Sequence, residues 1–193
     1  MAYQSTILAF AGSLRAQSFN KRLIRVAVSG AERAGARVTL ITLNDYPLPV
    51  FDEDLEQAQG LPQPARALKA LFAQHDGLLI AAPEYNSSIT GVLKNTIDWV
   101  SRTAPGERPL ASFAGKAAGL MSASPGALGG LRGLVHVRQI LGNIGVLVIP
   151  EQVAVPQAHE AFQTDGALKD AKRQAAVEAL GSSVVGLLTK LHG

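Results

Sequence analysis

Short apolar runs alternate along this chain with longer segments in which apolar residues recur three and four positions apart. Five runs read as strands: Thr6 to Ala11, Arg37 to Thr42, Gly77 to Ala82, Ala117 to Ser122 and Val146 to Ile149. Each is mainly apolar on both faces, as a strand covered by helices on both sides must be. After the first strand, Phe19, Leu23, Val26, Ala27 and Gly30 mark one helical face, and Gly35 ends that helix near the usual left-handed position. A second helix is predicted from Pro64 to Gln74. A third follows Tyr85, with Val92, Leu93, Thr96, Ile97 and Val100 on its stripe. A fourth spans Leu128 to Leu141, and the last runs from Ala167 to Leu191 with Val177, Leu180, Val184, Leu187 and Leu191 facing inward. Strand and helix in turn imply an α/β fold, a doubly wound five-stranded parallel sheet with helices on both faces. Residues 1–193 are expected to form one domain, since no repeat or low-complexity tract divides them.

Two stretches depart from this rhythm. Asp45 to Pro62, with Pro47, Pro49 and several acids, has no clear period, which marks a functional, mobile or solvated surface loop. The fourth helix carries apolar residues on more than one face: Leu128, Leu131, Leu134, Val135, Val137, Ile140 and Leu141. A surface helix needs one apolar stripe. The excess fits either a subunit interface, with Arg132 and Arg138 at its rim, or a helix more deeply buried than its neighbours.

Composition removes several classes of function. With 47% hydrophobic and 17% charged residues the chain can fill a core and is not disordered. No apolar run approaches the roughly 20 residues of a membrane span, and the first residues lack a secretory signal, so a cytoplasmic location without membrane attachment is expected. The absence of Cys excludes disulfides, thiolate metal sites and thiol nucleophiles. The net charge of +3 is spread along the chain with no basic block, which argues against nucleic acid. His75, His136, His159 and His192 have no partner at ligand spacing, and Asp52, Glu53, Asp54 and Glu56 lack the spacing of an oxygen-ligand loop, so no metal is assigned.

The candidate chemistry lies in loops that follow strands. Gly12 permits a sharp turn after the first strand, and Ser13, Ser18 and Asn20 then offer donors beside the guanidinium of Arg15. The next helix adds free N–H groups and a dipole equivalent to roughly half an elementary charge. Such a junction suits a phosphate monoester. Neither Gly-x-x-x-x-Gly-Lys-Ser/Thr nor Gly-x-Gly-x-x-Gly occurs here, so a nucleoside triphosphate or extended dinucleotide is not the first expectation. Taken alone, the segment reads equally as a helix capped by Ser18 with Arg15 solvated. A second strand, loop and helix runs through Pro83, Glu84, Tyr85 and Asn86 to Val100. A third loop, Ser122 to Gly130, is rich in small residues that let backbone approach a planar ligand, although it serves equally as a flexible connection.

Gly12-Ser13-Leu14-Arg15 with Ser18 and Asn20, followed by Pro83-Glu84-Tyr85-Asn86 and Gly91-x-Leu93-Lys94-Asn95-x-x-Asp98-Trp99, resembles the NADPH-dependent FMN reductase family. The likeness in element order extends over nearly the whole chain. It implies a flavodoxin-like fold holding FMN non-covalently, with Ser13, Arg15, Ser18 and Asn20 at its phosphate and Pro83, Glu84, Tyr85 and Asn86 at its ring. Ser124 and Gly126 border the same site by resemblance. It further implies NADPH or NADH as co-substrate, hydride carried by flavin N5 rather than by a catalytic side chain, and a small-molecule acceptor: a quinone, azo compound, free flavin or oxidised metal species. Relatives of this kind form homodimers and some homotetramers, with flavin near the subunit boundary. Thr90 departs from the family, where many members carry Pro, and Thr can cap a helix there instead. The resemblance places the Asp45–Pro62 stretch near the flavin edge or a partner, and suggests that Lys94, Asn95, Asp98 and Trp99 anchor the Tyr85 loop. The rival from another class is a flavodoxin-like electron carrier with no turnover of its own, against which the basic pI of ≈ 9.4 and the Pro83–Asn86 match both count. A flavin-free scaffold is disfavoured because the whole phosphate loop is retained.

Overall fold

The computed structural model describes residues 3–193. Its strands are β1 (Thr6–Ala11), β2 (Arg37–Leu40), β3 (Gly77–Ala81), the short pair β4 (Glu84–Tyr85) and β5 (Ser88–Ile89), β6 (Ala117–Ala123) and β7 (Leu147–Val155). The helices are α1 (Phe19–Arg33), α2 (Glu53–Gln59), α3 (Gln63–Ala73), α4 (Gly91–Ser101), α5 (Leu131–Asn143) and α6 (Ala171–His192). Five strands form one parallel sheet in the order β2-β1-β3-β6-β7, while β4 and β5 make a separate antiparallel hairpin. The chain goes from β1 outward to β2 and then back past β1 to β3. The carboxyl ends of β1 and β3 therefore flank the point where strand order reverses, and open parallel sheets place ligands in that crevice.

Alternation along the strands builds two cores. Ile7, Ala9 and Ala11 of β1 face α1 and α6, where they meet Leu23, Ala27, Val177, Leu180 and Val184. Leu8 and Phe10 face the other way, toward Leu68 and Phe72 of α3, Leu93, Ile97 and Val100 of α4, and Leu134, Val137 and Leu141 of α5. On the first side the helices α1 and α6 touch through their backbones: a Cβ at Gly30 would lie 2.0 Å from the Glu178 carbonyl oxygen.

Several elements differ from the sequence reading, each for a local reason. β2 ends at Leu40, and Leu43–Asp45 forms a turn of 3-10 helix. β7 extends past Pro150 to Val155, with a register shift between Ala118 and Leu120. It is one of the two edge strands, where Pro and outward polar residues are tolerated, so its apolar run ends before the strand does. α5 begins at Leu131 because Gly129 and Gly130 both adopt positive φ, 62° and 91°. α6 begins at Ala171, where the Asp170 carboxylate accepts from the N–H groups of Lys172 and Arg173. The Asp45–Pro62 stretch contains α2, which buries no residue. Asp52 caps it, accepting from Asp54 N at 2.9 Å, and Glu53, Asp54 and Glu56 occupy the turn that the helix dipole favours for acids. Arg102 then pairs with Glu56 at 2.7 Å.

Candidate functional site

The loop after β1 is fastened before it reaches its polar residues. Gly12 N–H donates to the Ala81 carbonyl at 2.9 Å, extending the β1–β3 ladder by one bond. Ser13, Ser18 and Asn20 are all buried. Ser18 stands at the N-cap of α1 with extended backbone, yet its hydroxyl makes no cap bond. That leaves the hydroxyl and the N–H groups of Phe19 and Asn20 for another acceptor, since Lys21 N already donates to the Ser18 carbonyl at 3.1 Å, and no acid lies in that turn to compete. Arg15 is exposed and has no carboxylate partner among the described residues. Asn20 is placed differently. Its Nδ2 donates to the Ala123 carbonyl at 2.8 Å, and its Oδ1 accepts from Ala123 N at 3.0 Å. This side chain therefore ties α1 to the end of β6 and sets the spacing between two loops.

The second loop is the β4–β5 hairpin. Glu84 pairs with Ile89 and Tyr85 with Ser88, so Asn86 and Ser87 are the two central residues, with φ of 50° and 66°. Two positive values are the signature of a type I′ turn, whose twist suits a tight hairpin. Tyr85 is left half exposed at its edge. The Glu84 carboxylate points away from the crevice to α5: Oε2 accepts from Gly133 N at 2.9 Å, and Oε1 accepts from Arg132 Nη2 at 2.9 Å and Nε at 3.1 Å. Burial pushes the Glu84 carboxyl up, but the Gly133 N–H and the Arg132 guanidinium outweigh it and hold the group below its ordinary value. Glu84 thus supplies the cap that Gly130, the N-cap residue of α5, has no side chain to give. His136 on the same helix also meets Ser88, with Nδ1 and Oγ 2.9 Å apart.

The third loop leaves β6 through Ser124, whose N–H donates to the Val155 carbonyl at 3.1 Å and whose Oγ accepts from Gly126 N at 3.3 Å. All three loops line one cleft that opens to solvent. Ser13, Arg15, Ser18, Asn20, Pro83, Glu84, Tyr85 and Ser124 line it, joined by Phe19, Ala123 and Pro125. Of the residues proposed from sequence, Asn86 and Gly126 lie outside this lining, at the hairpin tip and farther along the third loop. Phe19 was read as a core residue of α1. It does pack on the core and stacks on Phe162 with centroids 6.3 Å apart, and no local signal marked it as part of the cleft.

Residues expected elsewhere also find definite partners. The Lys94–Trp99 motif anchors the stretch before α2, not the Tyr85 loop. Asn95 accepts from Phe51 N and donates to the Pro49 carbonyl, both at 2.8 Å, and buried Trp99 donates from Nε1 to the same carbonyl at 2.8 Å. Lys94 pairs with Asp98 one turn on. On α5, Leu134, Val137 and Leu141 are core residues, whereas Leu131 and Val135 are exposed, as is Leu128 before it. Arg132 and Arg138 are not free at a rim: Arg138 Nη2 donates to the Ile149 carbonyl at 2.9 Å and the Pro150 carbonyl at 3.1 Å. His75 is buried, with Nδ1 2.6 Å from the Leu71 carbonyl oxygen and Nε2 2.7 Å from Thr39 Oγ1, a structural role.

The residues present fit a cofactor that ends in a phosphate monoester. The Ser18 hydroxyl, free of a cap bond, the Ser13 hydroxyl, which accepts from Arg15 N at 3.3 Å and keeps its proton to donate, the Arg15 guanidinium without a carboxylate partner among the described residues, and a helix N-terminus without acids supply donors and positive charge on one side of the cleft. Pro83, Tyr85 and the backbone of the third loop supply a flat, less charged border on the other.

This strand order, with a phosphate-type loop at the end of β1, defines a flavodoxin-like α/β protein. The chain belongs to the NADPH-dependent FMN reductase family, whose pattern it matches over residues 5–160. It is 36% identical over 173 residues to an NAD(P)H-dependent FMN reductase of Pseudomonas aeruginosa, covering 89% of each chain. A quinone reductase of Escherichia coli is 37% identical over 149 residues, 77% of this chain and 76% of that one. Among solved structures, the flavoenzyme NAD(P)H:(acceptor) oxidoreductase FerB of Paracoccus denitrificans matches with a TM-score of 0.80 at 30% identity, covering 96% of this chain and 98% of that one. The family and fold expected from the two sequence motifs are thereby met.

Proposed function

We propose that the chain is an NAD(P)H-dependent reductase that binds FMN in this cleft and passes electrons to quinones or related small acceptors. The observation that carries this reading is the meeting of Arg15, Ser13 and Ser18 with the Tyr85 hairpin and the Ser124 loop around one cleft at the switch point of the sheet. When bound, FMN supplies a ring that accepts hydride and returns it. The chain's own tasks are binding and orientation. Ser13 and Ser18 donate to the phosphate, and Arg15 matches its charge. Asn20 ties the first loop to the end of β6 through Ala123, and Glu84 ties the hairpin to α5 through Gly133. Pro83, Tyr85 and Ser124 border the ring, while Asn86 at the hairpin tip and Gly126, whose N–H donates to Ser124 Oγ, shape the two loops that carry them. Tyr85 projects from the hairpin edge without closing the cleft, so nicotinamide and acceptor use the same opening in turn.

The exposed apolar positions Leu128, Leu131 and Val135, close to the hairpin through the Glu84 and His136 bonds, support a homodimer or homotetramer built partly on α5. Among the described residues no helix is long and apolar enough to cross a membrane, which fits the proposal of a cytoplasmic enzyme. One sheet with a core on each face supports reading 1–193 as one domain.

Titration of the flavin-free protein with FMN and with riboflavin tests the site. FMN binds far more tightly in this reading, and Arg15→Ala weakens FMN by about 1.5–3 kcal/mol through loss of a charge-assisted bond. Equal affinity for the two ligands contradicts it.

A further inference from the structure

We infer that Thr90 is a positioning residue for the phosphate loop, because its one hydroxyl joins the Gly12 carbonyl to the start of α4. The inference rests on the proposal that the loop carrying Ser13, Arg15 and Ser18 receives the phosphate of FMN.

Thr90 is 2% exposed and stands at the N-cap of α4. Its Oγ1 donates to the Gly12 carbonyl oxygen at 2.7 Å and accepts from Leu93 N at 3.2 Å. Both capacities of the hydroxyl are thus committed, one within its own helix and one to a loop far away in sequence. The bond completes the hydrogen bonding of the peptide unit that leaves β1. Gly12 N–H donates to Ala81 O at 2.9 Å, and Ser13 N–H donates to Ala11 O at 2.8 Å. Only the Gly12 carbonyl remained to be fixed. With its donor in place, that carbonyl is turned onto α4, and the peptide plane that sets the direction of Ser13 has no free rotation left.

α4 is packed hard against this point, since a Cβ at Gly12 would lie 2.9 Å from Leu93 Cβ. Replacing the hydroxyl by a methyl group of the same volume opens no space for a water to serve as substitute donor. The Gly12 carbonyl is then buried without a partner, beside a site meant for a dianion, and the loop must shift to hydrate it. The consequence falls on the phosphate end of the ligand. The ring end is held by the hairpin and the Ser124 loop; Thr90 follows Ile89 of the hairpin, but its hydroxyl bonds only to Gly12 and Leu93.

The test compares FMN and riboflavin affinities for the wild type, Thr90→Val, Thr90→Ala and Thr90→Ser, with thermal unfolding of each flavin-free protein as control. Thr90→Val is expected to weaken FMN by about tenfold and riboflavin by less than about twofold, so that the preference for FMN shrinks. Thr90→Ala, which adds no volume, moves the ratio the same way, and Thr90→Ser restores it. A merely structural cap would lower the unfolding temperature while leaving the ratio of the two affinities unchanged, and that result overturns the inference. A wild type that binds both ligands equally overturns the phosphate-site reading itself, and the role of Thr90 with it. A wild-type preference that both Thr90→Val and Thr90→Ala retain in full leaves the site standing and removes only Thr90.

Discussion

Glu84→Ala removes the acceptor that fastens the ring-side hairpin to α5, and its cost follows from what the carboxylate touches. The Glu84 side chain is 9% exposed and takes Gly133 N–H at 2.9 Å, a charge-assisted bond to a helix N-terminus. Losing such a bond costs about 1.5–3 kcal/mol, because the amide stays buried without a partner. The Arg132 side chain is 57% exposed and recovers hydration when released, so the ion pair adds at most about 1 kcal/mol. A total near 2–3 kcal/mol is a large share of the roughly 5–15 kcal/mol that keeps a domain folded. The effect also depends on pH. The fold holds the Glu84 carboxyl below its ordinary value of 4.5, so its contribution is complete at neutral pH and fades as the pH falls below 4.5 through the folded value. Urea denaturation of wild type and Glu84→Ala at pH 7 and again in acid measures both parts. The difference should be largest at pH 7 and shrink on acidification, with Glu84→Gln intermediate. A variant within about 0.5 kcal/mol of wild type at pH 7, or a gap that widens in acid, refutes the clamp.

The other predictions probe distinct layers. Gly30→Ala forces α1 and α6 apart at a point where the added Cβ would lie 2.0 Å from a carbonyl oxygen, and should cost about 3 kcal/mol or more in thermal or chemical unfolding; a stability equal to wild type contradicts the backbone contact. Leu131→Lys on the exposed face of α5 should lower the oligomeric mass in light scattering and leave the circular dichroism spectrum intact, whereas Leu134→Lys, at a fully buried site, should unfold the chain. Identical behaviour of the two variants rules out an α5 interface. Burial together with the bond that its hydroxyl donates to Asp76 pushes Tyr3 up from 10.0 to about 12. The neutral phenol therefore stabilises the fold fully below pH 10 and loses that contribution between pH 10 and 12. Tyr3→Phe should be the less alkali-sensitive protein over that interval, and an unchanged alkaline profile counts against the Asp76 bond.

What the sequence disclosed, and what it hid, follows from the kind of force that forms each element. β1 and β3 were legible because both their faces are buried, so every residue from Ile7 to Ala11 and from Gly77 to Ala81 carries the signal. The β4–β5 hairpin was not, since its strands have two residues each and its direction is set by positive φ at Asn86 and Ser87 rather than by alternation. α2 was equally silent: it is built by Asp52, its acidic first turn and Arg102, with no apolar stripe to reveal a period. The loops of the cleft were found through their donors, yet the sequence could not assign partners to those donors. Asn20 and Glu84 look like ligand contacts in one dimension, and in three each is bonded to main chain of another element, Ala123 at the end of β6 or Gly133 in the first turn of α5. The same holds for Asn95 and Trp99, whose shared acceptor at Pro49 is distant in sequence. Side-chain chemistry is local, and the choice of partner belongs to the fold.

The reductase proposal meets its most direct test in the visible spectrum of the FMN-loaded protein during anaerobic addition of NADPH, and separately of NADH, followed by a small quinone. Bleaching of the flavin in one two-electron phase by at least one of the nicotinamides, and return of the oxidised spectrum on each addition of quinone over many cycles, is the predicted result. Failure of both nicotinamides to reduce the flavin directly, together with a long-lived one-electron form after chemical reduction, would contradict the account and leave an electron carrier in its place.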